Sequence, residues 1–243
     1  MRILIISDIH ANLTALETVI SEAGEFEAVW CLGDLVGYGP DPNECVALVR
    51  ELPNLKCILG NHDAAALQKI DPNSFNPEAR QSLLWTKNTL NSESVGFLNS
   101  LPEIIEIDEV TITHGSPRHP IWEYLLDINS ATENFDCFST MLCFVGHTHL
   151  PVIFSQNTNQ HFVEMNIPGR NNKSFALTNR AILNPGSVGQ PRDQDPRAAY
   201  AIFYPEINEW KFKRVSYDIP SVQNRMLKAN LPERQILRLA AGW

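Results

Sequence analysis

Five short stretches carry most of the metal-capable side chains. They read Asp8-x-His10, Gly33-Asp34, Gly60-Asn61-His62-Asp63, His114-Gly115 and Gly146-His147-Thr148-His149. Five of the seven histidines fall within them. The donor set is Asp, Asn and His without a thiolate, which suits Mn, Fe, Zn or Ni and speaks against copper(I) or an iron–sulfur cluster. Residues two apart in an extended segment point the same way. Asp8 with His10, and His147 with His149, would then each aim two donors at one place. The donors are too many for one ion. Two ions about 3.5–4 Å apart would fit, and such pairs clamp phosphate oxygens during in-line displacement. One carboxylate must then bridge them, and Asp34 is the natural candidate. A purely structural role would bury several imidazoles together, at about 1–3 kcal/mol for each unsatisfied group.

Each stretch closes an apolar run: RILIISD, EAVWCLGD, LKCILGNHD, EVTITHG and LCFVGHTH. Length and β-branched content make these strands. NLTALETVISEAG has apolar residues at helical spacing, with Asn12 as N-cap and Gly24 as stop. DPNECVALVREL reads as a second helix, opened by Asp41-Pro42. The β-α-β-α-β order predicts a parallel sheet with helical crossovers. In open parallel sheets ligands bind at the carboxyl ends of the strands, so all five stretches should converge on one edge. Glycines beside them allow sharp turns and close backbone approach. Residues 64–100 read as helical, broken by Pro72 and Pro77, with PEARQSLLWTKNTL the clearest helix. From Pro151 the segments PVIFSQ, QHFVEMNI, SFALT, RAILNPG, AAYAIFYPE and EWKFKRVSY read as an antiparallel meander. SVQNRMLKANLPERQILRLAAGW reads as helical. The expectation is a single domain over 1–243, with two sheets sharing one core.

The 243 residues, 44% hydrophobic, are enough for that core. A net charge of −9 with no basic cluster disfavours polymeric nucleic acid as a partner. Five cysteines without a CxxC read as small buried hydrophobes and suit a reducing compartment. No apolar run approaches the roughly 20 residues that span a bilayer, and the N-terminus lacks a signal-peptide pattern. The expectation is a cytoplasmic protein with no membrane partner. Exposed strand edges in the second half are compatible with a homodimer.

In this order the motifs D-x-H, G-D, G-N-H-[DE], H-G and G-H-x-H resemble the calcineurin-like metallophosphoesterase superfamily, over roughly residues 1–150. The stretch NPGSVGQPRD, Asn184 to Asp193, resembles its small bacterial and archaeal phosphoesterase branch. The resemblance implies an α/β fold: a four-layer αββα sandwich with two mixed β-sheets and a dimetal site at the carboxyl ends of the strands. It implies that Asp8, His10 and His149 hold one metal, that Asn61, His114 and His147 hold the other, and that Asp34 bridges. His62 would be catalytic rather than a ligand, contacting the phosphate and assisting the leaving group after attack by a hydroxide held between the metals. The implied substrates are phosphate monoesters or diesters of small molecules, nucleotides among them. Asp63 is either the orienting partner of His62 or a cap on the following helix.

The segment GDLVGYG departs from the GDYVDRG of protein serine/threonine phosphatases and diadenosine tetraphosphatases. Gly37 and Tyr38 replace the aspartate that pairs with the catalytic histidine and the phosphate-binding arginine, which weakens both readings. Arg118 or Arg192 could supply the missing cation, the alternative being a surface or loop-bracing ion pair. Tyr38 and Trp122 could stack on a base or aryl group, the alternative being ordinary packing. His119 and His161 stand outside the ligand pattern. A catalytically inactive interaction scaffold is the rival from another class; retention of His62 opposes it.

Overall fold

The computed structural model describes residues 1–157, 162–169 and 172–243. In chain order its elements are β1 (Ile3–Ile6), α1 (Leu13–Ala23), β2 (Ala28–Cys31), α2 (Pro42–Arg50), β3 (Lys56–Cys57), α3 (Asn61–Ala66), α4 (Pro77–Thr89), α5 (Ser92–Asn99), β4 (Ile104–Ile107) and β5 (Val110–Thr113). There follow α6 (Ile128–Asn134), β6 (Leu142–Phe144), β7 (Val152–Asn157), β8 (Phe162–Asn166), β9 (Lys173–Ala176), β10 (Arg180–Asn184), β11 (Ala198–Tyr204), β12 (Glu209–Val215), α7 (Ile219–Lys228) and α8 (Glu233–Ala241).

Among the described residues the strands form two six-stranded mixed sheets, ordered β3-β2-β1-β11-β12-β9 and β4-β5-β6-β10-β7-β8. β1, β2 and β3 run parallel, as do β5, β6 and β10. The alternation of β1 shows how one apolar run serves two layers. Ile3 and Ile5 enter the core between the sheets, with Trp30, Phe144, Phe203 and Trp210. Leu4 and Ile6 face outward onto Leu16 and Val19 of α1 and Val46 and Val49 of α2. On the outer face of the second sheet, Phe154 and Ile182 pack with Ala131 of α6 and with Phe135 and Phe138. Two sheets flanked by helices make the αββα sandwich that the resemblance implies.

The structure corrects the sequence reading in three places. β4 and α6 were not expected. The second half is not one meander: β10 joins the second sheet parallel to β6, whereas β11 crosses to the first and pairs antiparallel with β1, Ile5 opposite Ala201. The C-terminal helical segment is broken into α7 and α8, with Asn230 at φ 54° and Pro232 between them.

Candidate metal centre

All five stretches do lie at the carboxyl ends of parallel strands. Asp8 and His10 follow β1, and Asp34 follows β2. Asn61 opens α3 just after β3, His114 follows β5, and His147 and His149 follow β6. None of the seven, nor His62, is more than 4% exposed. The alternation expected for Asp8 and His10 is not what aligns them. Both have left-handed backbone, φ 52° and 49°, as do Asp34 at 54°, His147 at 64° and His149 at 60°. Such dihedrals cost non-glycine residues about 1–3 kcal/mol each and gather at functional sites. They fold each strand end back on itself. Gly60 and Gly33 allow the loops to close on one another: a Cβ on Gly60 would collide with Asp34 Oδ1, and one on Gly33 would lie 2.9 Å from His114 Nδ1.

The donor atoms form triads, Asp8–His10–His149 and Asp34–His114–His147, whose atoms lie within 4.8 Å of one another. Imidazole tautomers follow from the partners of the outward nitrogens. Nδ1 of His10 donates to the Val36 carbonyl at 3.2 Å, that of His149 to Gln190 at 2.6 Å and that of His114 to Leu32 at 2.7 Å. Their Nε2 atoms therefore face inward. His147 is reversed: Nε2 donates to the Trp122 carbonyl at 3.1 Å, which leaves Nδ1 for the site. As a result His10 Nε2 faces His149 Nε2 at 3.1 Å, and His114 Nε2 faces Asn61 Oδ1 at 3.0 Å. At His10–His149, both imidazoles held neutral, two lone pairs opposed at this distance repel unless a proton or a metal cation lies between them.

The carboxylates tell the same story. Asp8 Oδ2 accepts from Ser7 Oγ at 2.6 Å and from the His147 amide at 3.2 Å; Asp34 Oδ1 accepts from the His62 amide at 2.8 Å. The other oxygens, Asp8 Oδ1 and Asp34 Oδ2, are buried without a hydrogen-bond partner. Asp34 Oδ2 stands 3.6 Å from His10 Nε2 and 3.3 Å from His114 Nε2, so one oxygen addresses both triads. Burial holds the imidazoles of His10, His147 and His149 well below their ordinary range, in the neutral form that ligates metals. At His114 burial opposes charge, but the Asp34 carboxylate prevails and raises the imidazole to about 10. A carboxylate that draws a proton so strongly would draw a metal cation too. The donor set thus fits a divalent dimetal site.

His62 lies against this cluster. Its ring is 4.8 Å from that of His10, 4.4 Å from Tyr38 and 5.0 Å from Phe75. Its Nδ1 is buried and unpartnered. Asp63 does not orient it: that carboxylate accepts from the Val36 amide through Oδ1 and the Gly60 amide through Oδ2, each at 3.0 Å. Asp63 caps α3 and ties the loop after β2 to the loop after β3.

The substrate-binding candidates separate. Arg192 is in the site, with Nη2 3.1 Å from Gln190 Oε1 and 3.5 Å from the Tyr38 hydroxyl. Arg118 is not brought to it. Its guanidinium pairs with Glu123 and with Glu133 at 2.6 Å, and its amide donates to Asn134; it braces the loop after β5. Tyr38 is 5% exposed, wedged between His10 and His62, and so offers no face to a base. Trp122, 40% exposed, and Tyr124, 46% exposed and stacked on His147 at 3.9 Å, do have free faces. His119 enters no donor cluster among the described residues, and His161 lies outside them.

Several supporting residues escaped the sequence reading. Gln190 holds His149 through its carbonyl, and Phe75 joins the ring wall by packing on His62 and Trp122. Ser187 Oγ donates to the Asp8 carbonyl at 2.8 Å, and Asn184 Nδ2 to the Gly146 carbonyl at 2.6 Å. The NPGSVGQ stretch was their signal; its role is to brace the first and last ligand loops.

Sandwich and site together define a metallophosphoesterase. Residues 1–206 match the model of the calcineurin-like phosphoesterase superfamily domain, and the chain belongs to that superfamily. It is 48% identical to the metallophosphoesterase from Sphaerobacter thermophilus, whose crystal structure superposes with a TM-score of 0.92 over 100% of this chain and 99% of that one. It is 40% identical to an uncharacterised protein of Methanocaldococcus jannaschii, over 99% of this chain and 98% of that protein. It is also 31% identical to a symmetrical bis(5'-nucleosyl)-tetraphosphatase of Pectobacterium atrosepticum, but over only 43% of this chain and 38% of the relative.

Proposed function

We propose that the protein is a dimetal-dependent phosphoesterase acting on small phosphorylated molecules. In this reading Asp8, His10 and His149 hold one divalent ion and Asn61, His114 and His147 the other, with Asp34 between them. Mn, Fe, Zn and Ni all suit such donors. The observation that carries the reading is the buried, unpartnered Asp34 Oδ2, within 3.6 Å of a histidine of each triad.

When bound, the metals would supply a nucleophile near neutral pH and polarise the phosphoryl oxygens. The chain supplies the rest. His62 contacts the phosphoryl group and gives its imidazole proton to the departing oxygen, a contribution of about 10²–10⁴-fold for a general acid. Arg192 offsets charge growing on the phosphoryl oxygens, in place of the arginine absent from GDLVGYG. Trp122 and Tyr124 line the approach and offer faces to an aryl or nucleobase leaving group.

The test is hydrolysis of a chromogenic aryl phosphate monoester and the matching diester by the manganese-loaded protein. His62→Ala should keep its metal and lose about 10²–10⁴-fold in rate. Asp34→Ala should lose metal at both sites. Full activity without His62, or unchanged metal content without Asp34, would refute the respective role. The preferred ester assigns phosphatase or phosphodiesterase.

A further inference from the structure

Arg192 is one end of a hydrogen-bonded chain that leaves the metal centre. Its Nη2 donates to Gln190 Oε1 at 3.1 Å, and Gln190 Nε2 donates to Gln235 Oε1 at 3.1 Å. Arg238 Nη1 donates to that same Gln235 oxygen at 3.2 Å. The two amides are 1% and 2% exposed. Two guanidiniums are therefore linked through buried neutral groups. Among the described residues neither forms an ion pair with an Asp or Glu side chain, although Arg118, Arg214 and Arg225 all do. Arg192 Nε is buried with no partner at all. Burial, and next the charge of Arg192, bring the Arg238 guanidinium down to about 10, against smaller opposing effects of Tyr38 and Glu78, and its Nε donates to the Trp243 carbonyl.

Gln235 and Arg238 belong to α8, beyond the residues matched by the superfamily model. α8 is held to the site side of the fold: Leu239 and Met226 line a small cleft with His10, Tyr38 and Gly189, and the Gln194 amide donates to the Gly242 carbonyl at 2.7 Å.

We propose that Arg192 and Arg238, held in register by Gln190 and Gln235, form a second anion subsite beside the metal centre, so that the substrates carry a further phosphate or carboxylate next to the scissile phosphoester. The inference rests on the phosphoesterase reading of the same site and narrows its substrate class. Guanidinium is the group best matched to a planar or tetrahedral oxyanion, and a charge-assisted bond of this kind is about twice as strong as a neutral one.

The test compares three ligands on the metal-loaded protein, dialysed free of excess metal, by calorimetry. Methylphosphonate carries one anionic group, methylenediphosphonate adds a second phosphonate, and phosphonoacetate adds a carboxylate. The second group should tighten binding about tenfold or more. Arg238→Gln should reduce that advantage to about twofold, and Arg238→Lys should retain part of it. Whichever second anion shows the larger loss in Arg238→Gln is the one the subsite takes. Equal affinities for all three in the native protein, or an undiminished advantage in Arg238→Gln of unchanged melting temperature and metal content, would overturn the proposal. These affinities are read without turnover. Failure to hydrolyse aryl esters would defeat the phosphoesterase reading and leave the subsite result to be judged separately.

Discussion

Gly37 is pressed against His62. A Cβ added to Gly37 would lie 2.6 Å from His62 Nδ1 and 3.1 Å from its Cβ, and Gly37 has φ +91°. Among the described residues no carboxylate hydrogen-bonds the Nδ1 of this histidine, and Asp34 comes within 4.8 Å of the ring. Its position is set by what surrounds it, with the Gly37 backbone on one side and the rings of Tyr38, His10 and Phe75 on others. Gly37→Ala should therefore displace the imidazole and strain the turn. A misplaced catalytic group of about 1 Å can cost about 10²-fold. The expected variant keeps both metals and loses rate by about that factor; elemental analysis beside a rate measurement checks it.

Removal of metal should destabilise the protein. The facing nitrogens of His10 and His149 and the two orphaned carboxylate oxygens are the contacts a bound cation would relieve. An ion at 100 times its dissociation constant stabilises by about 2.7 kcal/mol. A chelator should lower the melting temperature, and a divalent ion should restore it. A melting temperature indifferent to chelation would count against the site.

Glu123 gives a pH prediction away from the ligands. Burial disfavours its charge, but Arg118, Ser116 and Asn134 outweigh it and hold the carboxyl at about 2 instead of 4.5. The depressed value sets the sign: its stabilising contribution is full above about 4.5 and disappears as pH falls through about 2. Glu123→Gln should melt lower than the native protein at neutral pH, with the gap narrowing in acid. Arg118→Ala should lower the melting temperature slightly while leaving the KM for an aryl ester within about twofold, as befits a loop brace.

Trp122 touches the site twice, its carbonyl holding His147 and its ring packing on Phe75 at 5.1 Å. Trp122→Ala keeps the first and deletes the second. An aromatic contact of about 0.5–1.5 kcal/mol predicts a KM for aryl esters raised about 2–12-fold, with kcat less affected. A KM unchanged within error would show that substrate does not reach this ring.

The gathering of these donors was legible because polarity punctuates apolar runs: a metal-capable residue closing a buried strand has few other uses. Direction was legible too, since parallel strands put all their carboxyl ends on one edge. The left-handed backbone of Asp8, His10, Asp34, His147 and His149 was not, because no side-chain pattern reports φ for these residue types. Nor could the sequence sort Arg118 from Arg192. Arg118 follows His114 closely and Arg192 sits in the QPRDQDPR stretch, and only the fold brings Glu123 and Glu133 to the first. The allotment of β11 to the first sheet was hidden for a related reason. Its partner β1 is nearly 200 residues away, Ile3 opposite Phe203, and local alternation says nothing of partners. β4 and α6 are short, four and seven residues, too brief to stand out.

Asp8, Asp34 and Asn61 come from the first sheet; His114, His147 and His149 come from the second. Each triad draws on both. The geometry within each triad therefore depends on how one sheet sits upon the other. That seating is governed by the shared core of Trp30, Phe144, Phe203 and Trp210, at the middle of the sandwich. Repacking those rings would retune the reaction centre without touching any residue in it.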